Sequence, residues 1–240
     1  MATRSRDDMQ GFWDERAREN PWYFVDNRQD YSRPDLERFW SEGARDLAYM
    51  FDLLGLELRG DETVVDLGCG VGRLSRALAA SAGQVIGMDV SEEMLARAEQ
   101  HNGHLENVRW IHGDGRTLRP LDDASVDACV SVVVFQHIPD PDTTLGYVRE
   151  MGRVLRPGGW AAFQVSTDPA VHAPRRRSWR ERLRVLAGRS PRGQEDPRWR
   201  GSRVDLDDVR RAATDGGMTV ARVAAPTPQF SLVLAHRAGG

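Results

Sequence analysis

Val64-Val65-Asp66-Leu67-Gly68-Cys69-Gly70-Val71-Gly72-Arg73-Leu74 is the stretch that decides the fold of this chain. Its apolar run ending in a carboxylate reads as a buried strand. Glycines at 68, 70 and 72 let the backbone turn sharply and leave no side chain between it and a ligand. The helix expected next, over about 73–82, opens with free N–H groups suited to a carboxylate or phosphate.

The same rhythm continues outward. Residues 84–89 read as a second strand, and Ser91 caps a helix over 92–100 with two acids in its first turn. Strands follow at 108–112 and 126–134, the latter nearly all apolar and so buried on both faces. A helix over 143–155 is stopped by Arg156-Pro157-Gly158-Gly159, and 160–165 is a fifth strand. This alternation predicts a parallel, doubly wound sheet. The first 58 residues are helical in pattern and carry ten of the eighteen aromatics. After Asp168 the alternation breaks into an Arg-, Pro- and Trp-rich segment, 170–203, with one short helix near 178–187. A helix over 205–215 and a hairpin of 218–225 with 230–236 complete the chain. The expected organisation is a helical cap (1–58), a core (59–168), an Arg-rich insertion (169–204), and the last helix and strands of the core (205–240).

A chain of 240 residues with 40% hydrophobic content suits one α/β domain with modest additions. No apolar run approaches the ~20 residues needed to cross a bilayer, and the first residues lack the apolar stretch of a signal peptide. A soluble, cytoplasmic protein is expected. All 33 basic residues are arginine. Lysine chemistry is therefore excluded: Schiff bases, pyridoxal phosphate attachment and the P-loop amine. Cys69 and Cys129 read as small core residues, and the six histidines lack metal-ligand spacing, so no metal is expected. Residues 170–203 hold eleven Arg against three acids, about +8 in a chain of net charge −3, so the remainder carries about −11.

Asp89 lies 21 residues after Gly68, at the end of the second strand, where a carboxylate can accept from both ribose hydroxyls. A dinucleotide fingerprint would need glycine at 73, which is Arg73. The spacing favours S-adenosylmethionine, which has no pyrophosphate.

The stretch quoted first resembles motif I of the class I S-adenosylmethionine-dependent methyltransferases. Four further landmarks follow in order: Ile86-Gly87-Met88-Asp89 with the helix after it, Gly113-Asp114-Gly115, Asp127-Ala128-Cys129-Val130-Ser131 with Phe135-Gln136-His137-Ile138-Pro139-Asp140, and Val154-Leu155-Arg156-Pro157-Gly158-Gly159. The resemblance covers about 62–167. It implies a Rossmann-like seven-stranded sheet with the last strand antiparallel, an N-terminal helical lid and an insertion after strand five. It implies S-adenosylmethionine as cofactor. Asp66, Gly68 and Gly70 would face its methionyl end, Asp89 the ribose, and Val90, Met94, Asp114 and Gly115 the adenine, with Cys69 and Arg73 also among the cofactor-binding residues. Ser131 and Val132 would close the site beside the methyl.

His137 is the candidate general base and Gln136 a hydrogen-bonder beside it, with His172 a weaker candidate. The substrate cover implied by the family is the aromatic N-terminus, where Trp22, Tyr23 and Phe24 join Trp13 as wall candidates, and the insertion. There Arg175, Arg176, Arg177 and Arg180 form a candidate anion clamp. The expected acceptor is a small metabolite or lipid-like molecule, with an anionic group as one option. Two alternatives stand beside it. One is an RNA or protein methyltransferase using the basic insertion, although nucleic acid is disfavoured by the acidic remainder. The other is a cofactor-binding protein on the same fold without methyl transfer. The sequence carries no signal for an oligomeric state.

Overall fold

The computed structural model describes residues 8–174 and 177–239. Three helices lead: α1 (Met9–Glu19), α2 (Pro21–Val25) and α3 (Leu36–Leu54). Asp35 caps α3 by accepting from the Arg38 N–H, and Gly55, at φ 69°, ends it. Its buried residues Phe39, Gly43, Leu47, Met50 and Leu54 recur at helical spacing and form one stripe.

The core then alternates β1 (Thr63–Leu67), α4 (Arg73–Ala79), β2 (Gln84–Asp89), α5 (Glu92–Asn102), β3 (Val108–His112) and β4 (Val126–Ser131). A short 3-10 turn, Phe135–His137, leads into α6 (Pro141–Val154) and β5 (Leu155–Val165). The chain finishes with α7 (Trp179–Leu186), α8 (Pro197–Arg200), α9 (Leu206–Asp215), β6 (Met218–Thr227) and β7 (Phe230–Arg237). The expected alternation is present. β5 begins five residues earlier than expected, because Leu155 already pairs with Val126 ahead of the Pro-Gly-Gly turn. α8 was not expected at all.

One seven-stranded sheet runs in the order β3-β2-β1-β4-β5-β7-β6. All pairs from β3 to β5 are parallel, while β7 is antiparallel to both β5 and β6. Chain order reverses between β1 and β4, and a crevice opens at the carboxyl ends of strands at such a point. Strand residues alternate between two buried layers. Val65, Leu67, Ile86, Met88, Cys129 and Phe163 pack against α6 and α9, and Val64, Val85, Ala128, Val130 and Ala162 against α3 and α4. No helix of the described residues is long and apolar enough to cross a membrane.

Gly152 on α6 sits directly against the Gly216 carbonyl at the end of α9, with no room for a methyl group. Gly152→Ala is expected to cost about 2 kcal/mol, overpacking outweighing the gain in helix propensity. Urea unfolding measures it as a lower midpoint at unchanged slope.

Candidate cofactor and acceptor site

A cavity of about 710 Å³ opens at the reversal point, beyond the ends of β1, β2 and β4. One half is built by the glycine turn. Gly68, Gly70 and Gly72 have φ of 74°, 54° and 83°, a region that side chains resist. A Cβ at Gly68 would also collide with Val134, and one at Gly70 with Val25 of α2. Glycine is therefore required twice over, by conformation and by close approach, and the cap helix lies directly on the turn.

Two carboxylates line this half. Asp66, at the buried end of β1, accepts from Ser75 Oγ at 2.6 Å. Burial raises its pKa to about 6, against the pull of that hydrogen bond. A cationic group in the cavity would reverse the shift. Asp89 accepts from the Gly70 N–H through Oδ2 (2.8 Å) and from the Ser91 N–H through Oδ1 (2.9 Å). Each oxygen keeps one lone pair, so the carboxylate can take two further donors. Burial also raises the Asp89 pKa, opposed by these backbone bonds.

Cys69, Arg73, Val90, Met94, Gly115 and Val132 line the cavity as well. The Cys69 thiol is pushed well above its ordinary pKa by burial, so it is a small neutral wall residue. Arg73 Nη1 donates to Asp46 at 2.6 Å, tying α4 to α3. Ser131 does not line the cavity; its hydroxyl donates to the Leu67 carbonyl at 3.0 Å and locks β4 to β1. Asp114 is also placed otherwise than expected. It accepts from the Arg116 and Thr117 N–H groups and the Thr117 hydroxyl, closing its own loop, while Gly115 beside it reaches the cavity.

The exit of β4 is fixed by a residue the sequence reading missed. Gln164, fully buried in β5, accepts from the Val133 N–H (2.8 Å) and donates to Gln136 Oε1 (3.1 Å) and the Gln229 carbonyl (2.7 Å). Val133 is held at φ 61°, rare for a β-branched residue, and its N–H is bound there by the amide. The available signal was one polar residue within Ala161-Ala162-Phe163-Gln164-Val165. Gln136 is thereby turned into the protein and does not line the cavity.

His137 lines the cavity, but both ring nitrogens are engaged. Nδ1 donates to the Trp199 carbonyl of α8, and Nε2 faces the Gln136 amide nitrogen at 3.3 Å. Burial lowers its pKa to about 4. The ring nitrogens of His172 are engaged as well: Nδ1 donates to the Arg200 carbonyl and Nε2 meets Ser166 Oγ at 2.9 Å. Two histidines thus hold α8 by consecutive carbonyls. Because the unfolded imidazole titrates near 6.5 and the folded one near 4, the neutral ring's stabilisation is complete above pH 6.5 and is lost as pH falls toward 4. Relative to His137→Gln, wild type is expected to lose about 3 kcal/mol over that window in urea titrations at several pH values.

The far half of the cavity is roofed by Met9, Trp13, Phe24 and Pro197. Of the three adjacent aromatics, only Phe24 reaches it. α2 is a little over one turn, so successive side chains point about 100° apart and cannot share a wall. Trp22 instead packs edge-on to Phe39, Trp40 and His101, and Tyr23 lies against Tyr31 and accepts from Gln194.

Arg175 and Arg176 lie outside the described residues. Arg177 pairs with Glu195 at 2.5 Å, and Arg180 stacks on Trp179; neither lines the cavity. Arg200, unforeseen, does line it. Its Nε donates to the Glu195 carbonyl (3.2 Å) and its Nη1 to the His172 carbonyl (3.0 Å), while His172 returns a bond to the Arg200 carbonyl. Among the described residues no carboxylate pairs with it. Tyr147, also unforeseen, is a buried cavity residue stacked on Phe135 with no hydrogen-bond partner for its hydroxyl among the described residues. Among the described residues no group of three or more His, Cys, Asp or Glu side chains forms a metal site.

Comparison with known proteins places this geometry. The family described as "Methyltransferase domain" matches residues 65–163. The "Uncharacterized 37.1 kDa protein in transposon TN4556" of Streptomyces fradiae is 43% identical over 108 residues, 43% of this chain and 30% of that protein. Demethylmenaquinone methyltransferase of Staphylococcus epidermidis is 36% identical over 110 residues, 45% of this chain and 44% of that one. The chain thus spans less than half the length of these curated relatives. The crystal structure of magnesium protoporphyrin IX methyltransferase from Synechocystis PCC 6803 with bound SAH superposes with a TM-score of 0.64 at 17% identity, covering 98% of this chain and 100% of that one. Glycine turn, two strand-end carboxylates and strand order agree with these matches: the chain has the fold of the class I S-adenosylmethionine-dependent methyltransferases, and its residues 65–163 match the methyltransferase domain family.

Proposed function

We propose that the chain transfers a methyl group from S-adenosylmethionine to a small, largely apolar acceptor that carries an anionic group. The observation that carries this reading is a single cavity with two chemically distinct halves. One has bare glycine backbone and two strand-end carboxylates, with Arg116 also on its lining, and the other has apolar walls, Asp140 capping α6, and Arg200 on α8, which has no carboxylate partner among the described residues.

The residues present fit the cofactor. Gly68 and Gly70 leave backbone open to its methionyl end, Asp66 attracts its ammonium, and Asp89 has lone pairs for both ribose hydroxyls. Val90 and Met94 offer apolar wall for the adenine, with the Gly115 backbone and the Tyr147 hydroxyl as polar contacts. When bound, the cofactor supplies an electrophilic methyl group on a sulfonium, which becomes a neutral thioether as the methyl leaves. The chain's own part is therefore to hold an acceptor in line and exclude water. His137 acts in this reading as a positioning residue that holds α8 in the roof, since its nitrogens are already committed. A cavity roofed by α1, α2 and α8 suits a small acceptor better than a polymer.

Arg200 is the proposed anchor for the acceptor's anionic group. Among the described residues three of its five N–H donors have no protein partner, enough to grip a carboxylate. Aryl and alkyl carboxylates, each paired with its primary amide, should be assayed by S-adenosylhomocysteine release. Turnover of at least one acid, with the acid favoured over its amide, is expected. Arg200→Gln should raise the KM for that acid by about 10- to 100-fold at little cost in kcat, and Arg200→Lys should recover part of it. Equal use of acid and amide would remove the anionic acceptor, and no product from any acceptor would count against transfer to a small molecule.

A further inference from the structure

α7 is a short helix with its apolar side facing outward. Ser178 and Glu181 form a capping box that starts it. Trp179, Leu183 and Leu186 are 66%, 55% and 79% exposed. At 3.6 residues per turn these positions fall within about 60° of one another, so they form one stripe. A stripe that finds no cover in its own fold is built for a surface elsewhere.

Its flanks say which surface. Arg180, Arg184, Arg189 and Arg192 are all exposed, and among the described residues no carboxylate forms an ion pair with their guanidinium groups, although the Arg192 backbone N–H donates to Glu19. The rest of the chain is strongly acidic, so this positive patch contrasts with the body that carries it. Apolar stripe and arginine flanks together have the chemistry of a helix lying in the interface of an anionic lipid bilayer. Trp179 suits the headgroup level, and the arginine stems can lie along the apolar boundary with their guanidinium groups at the phosphates.

The location connects this patch to the cavity. Arg177, next to the Ser178 cap, pairs with Glu195 and donates to the Pro191 carbonyl. Asp196 then caps α8, whose Pro197 and Arg200 line the cavity. A helix seated on a bilayer through α7 would hold the acceptor half of the cavity near the lipid surface.

We infer that α7 is a membrane-docking helix that binds anionic bilayers through Trp179, Leu183 and Leu186 with its flanking arginines. This does not rest on the proposed reaction, so either can fail alone. The test is co-sedimentation of the full chain with vesicles of phosphatidylcholine alone or with about one-third phosphatidylglycerol. Binding to the mixed vesicles at least ~10-fold above the neutral ones is expected, weakening in 0.5 M salt. The double variant Leu183→Ser with Leu186→Ser should lose it by a further ~10-fold or more while keeping the wild-type melting temperature, because both side chains are already exposed. Failure to bind either vesicle, or binding that the double variant retains, would overturn the inference. So would concentration-dependent self-association abolished by the same substitutions, which would show a second copy covering the stripe.

Discussion

Asp89→Ala is expected to weaken S-adenosylmethionine binding by about 100- to 10,000-fold. The carboxylate sits at the end of β2 with one lone pair of each oxygen committed to Gly70 and Ser91 and the other free. Two hydrogen bonds to a charged acceptor, each worth about 1.5–3 kcal/mol, are lost together. The glycine turn is also loosened, because the Gly70 N–H loses its acceptor. The variant should still melt cooperatively, since Asp89 borders the cavity and stands outside both packed layers. Calorimetric titration checks the affinity and circular dichroism the fold. A loss below about threefold would mean that Asp89 only shapes the turn.

Asp66→Asn is expected to separate stability from binding. The folded carboxyl titrates near 6 and the unfolded one near 3.8, so the folded state holds the proton more tightly. For an acid raised in this way, stability increases as pH falls from 6 to 3.8, and above pH 6 the buried charge opposes folding. Two units correspond to about 3 kcal/mol. The neutral amide can still accept from Ser75, so the unliganded variant should be more stable than wild type at pH 8 by up to about 3 kcal/mol. That advantage should shrink toward zero near pH 4. Affinity for a ligand bearing an ammonium should fall at the same time, because the attracting charge is gone. Urea unfolding at pH 4, 6 and 8 measures the first effect and calorimetry the second. A variant less stable than wild type at pH 8 would contradict the assignment of a charged, poorly solvated Asp66.

The parts of this site legible in the sequence are those set by local pattern. An apolar strand, a turn of three glycines and a carboxylate one strand later lie within about 25 residues, and each is placed by its own strand end. Asp66, Gly68, Gly70 and Asp89 accordingly line one cavity. The parts that were not legible depend on side-chain direction or distant partners. Trp22 and Tyr23 share a turn of helix with Phe24, and only the packing of α2 on the glycine turn decides which one faces in. Gln136 is drawn away by Gln164, 28 residues later, and Ser131 by Leu67 on the neighbouring strand. α8 had a local signature, Asp196 as cap with Pro197 at its first turn. At four residues it is too short to show periodicity within an arginine-rich stretch. Arg200 stood among eleven arginines, and what distinguishes it is the reciprocal pair of bonds with His172.

The most direct measurement of the central claim is calorimetric titration of S-adenosylmethionine into the intact chain at pH 7.5. One-to-one binding at micromolar affinity or better, on the order of −8 kcal/mol, is predicted, with affinity falling as pH drops below 6 and Asp66 takes up its proton. Absence of measurable heat in a folded, wild-type chain would contradict it.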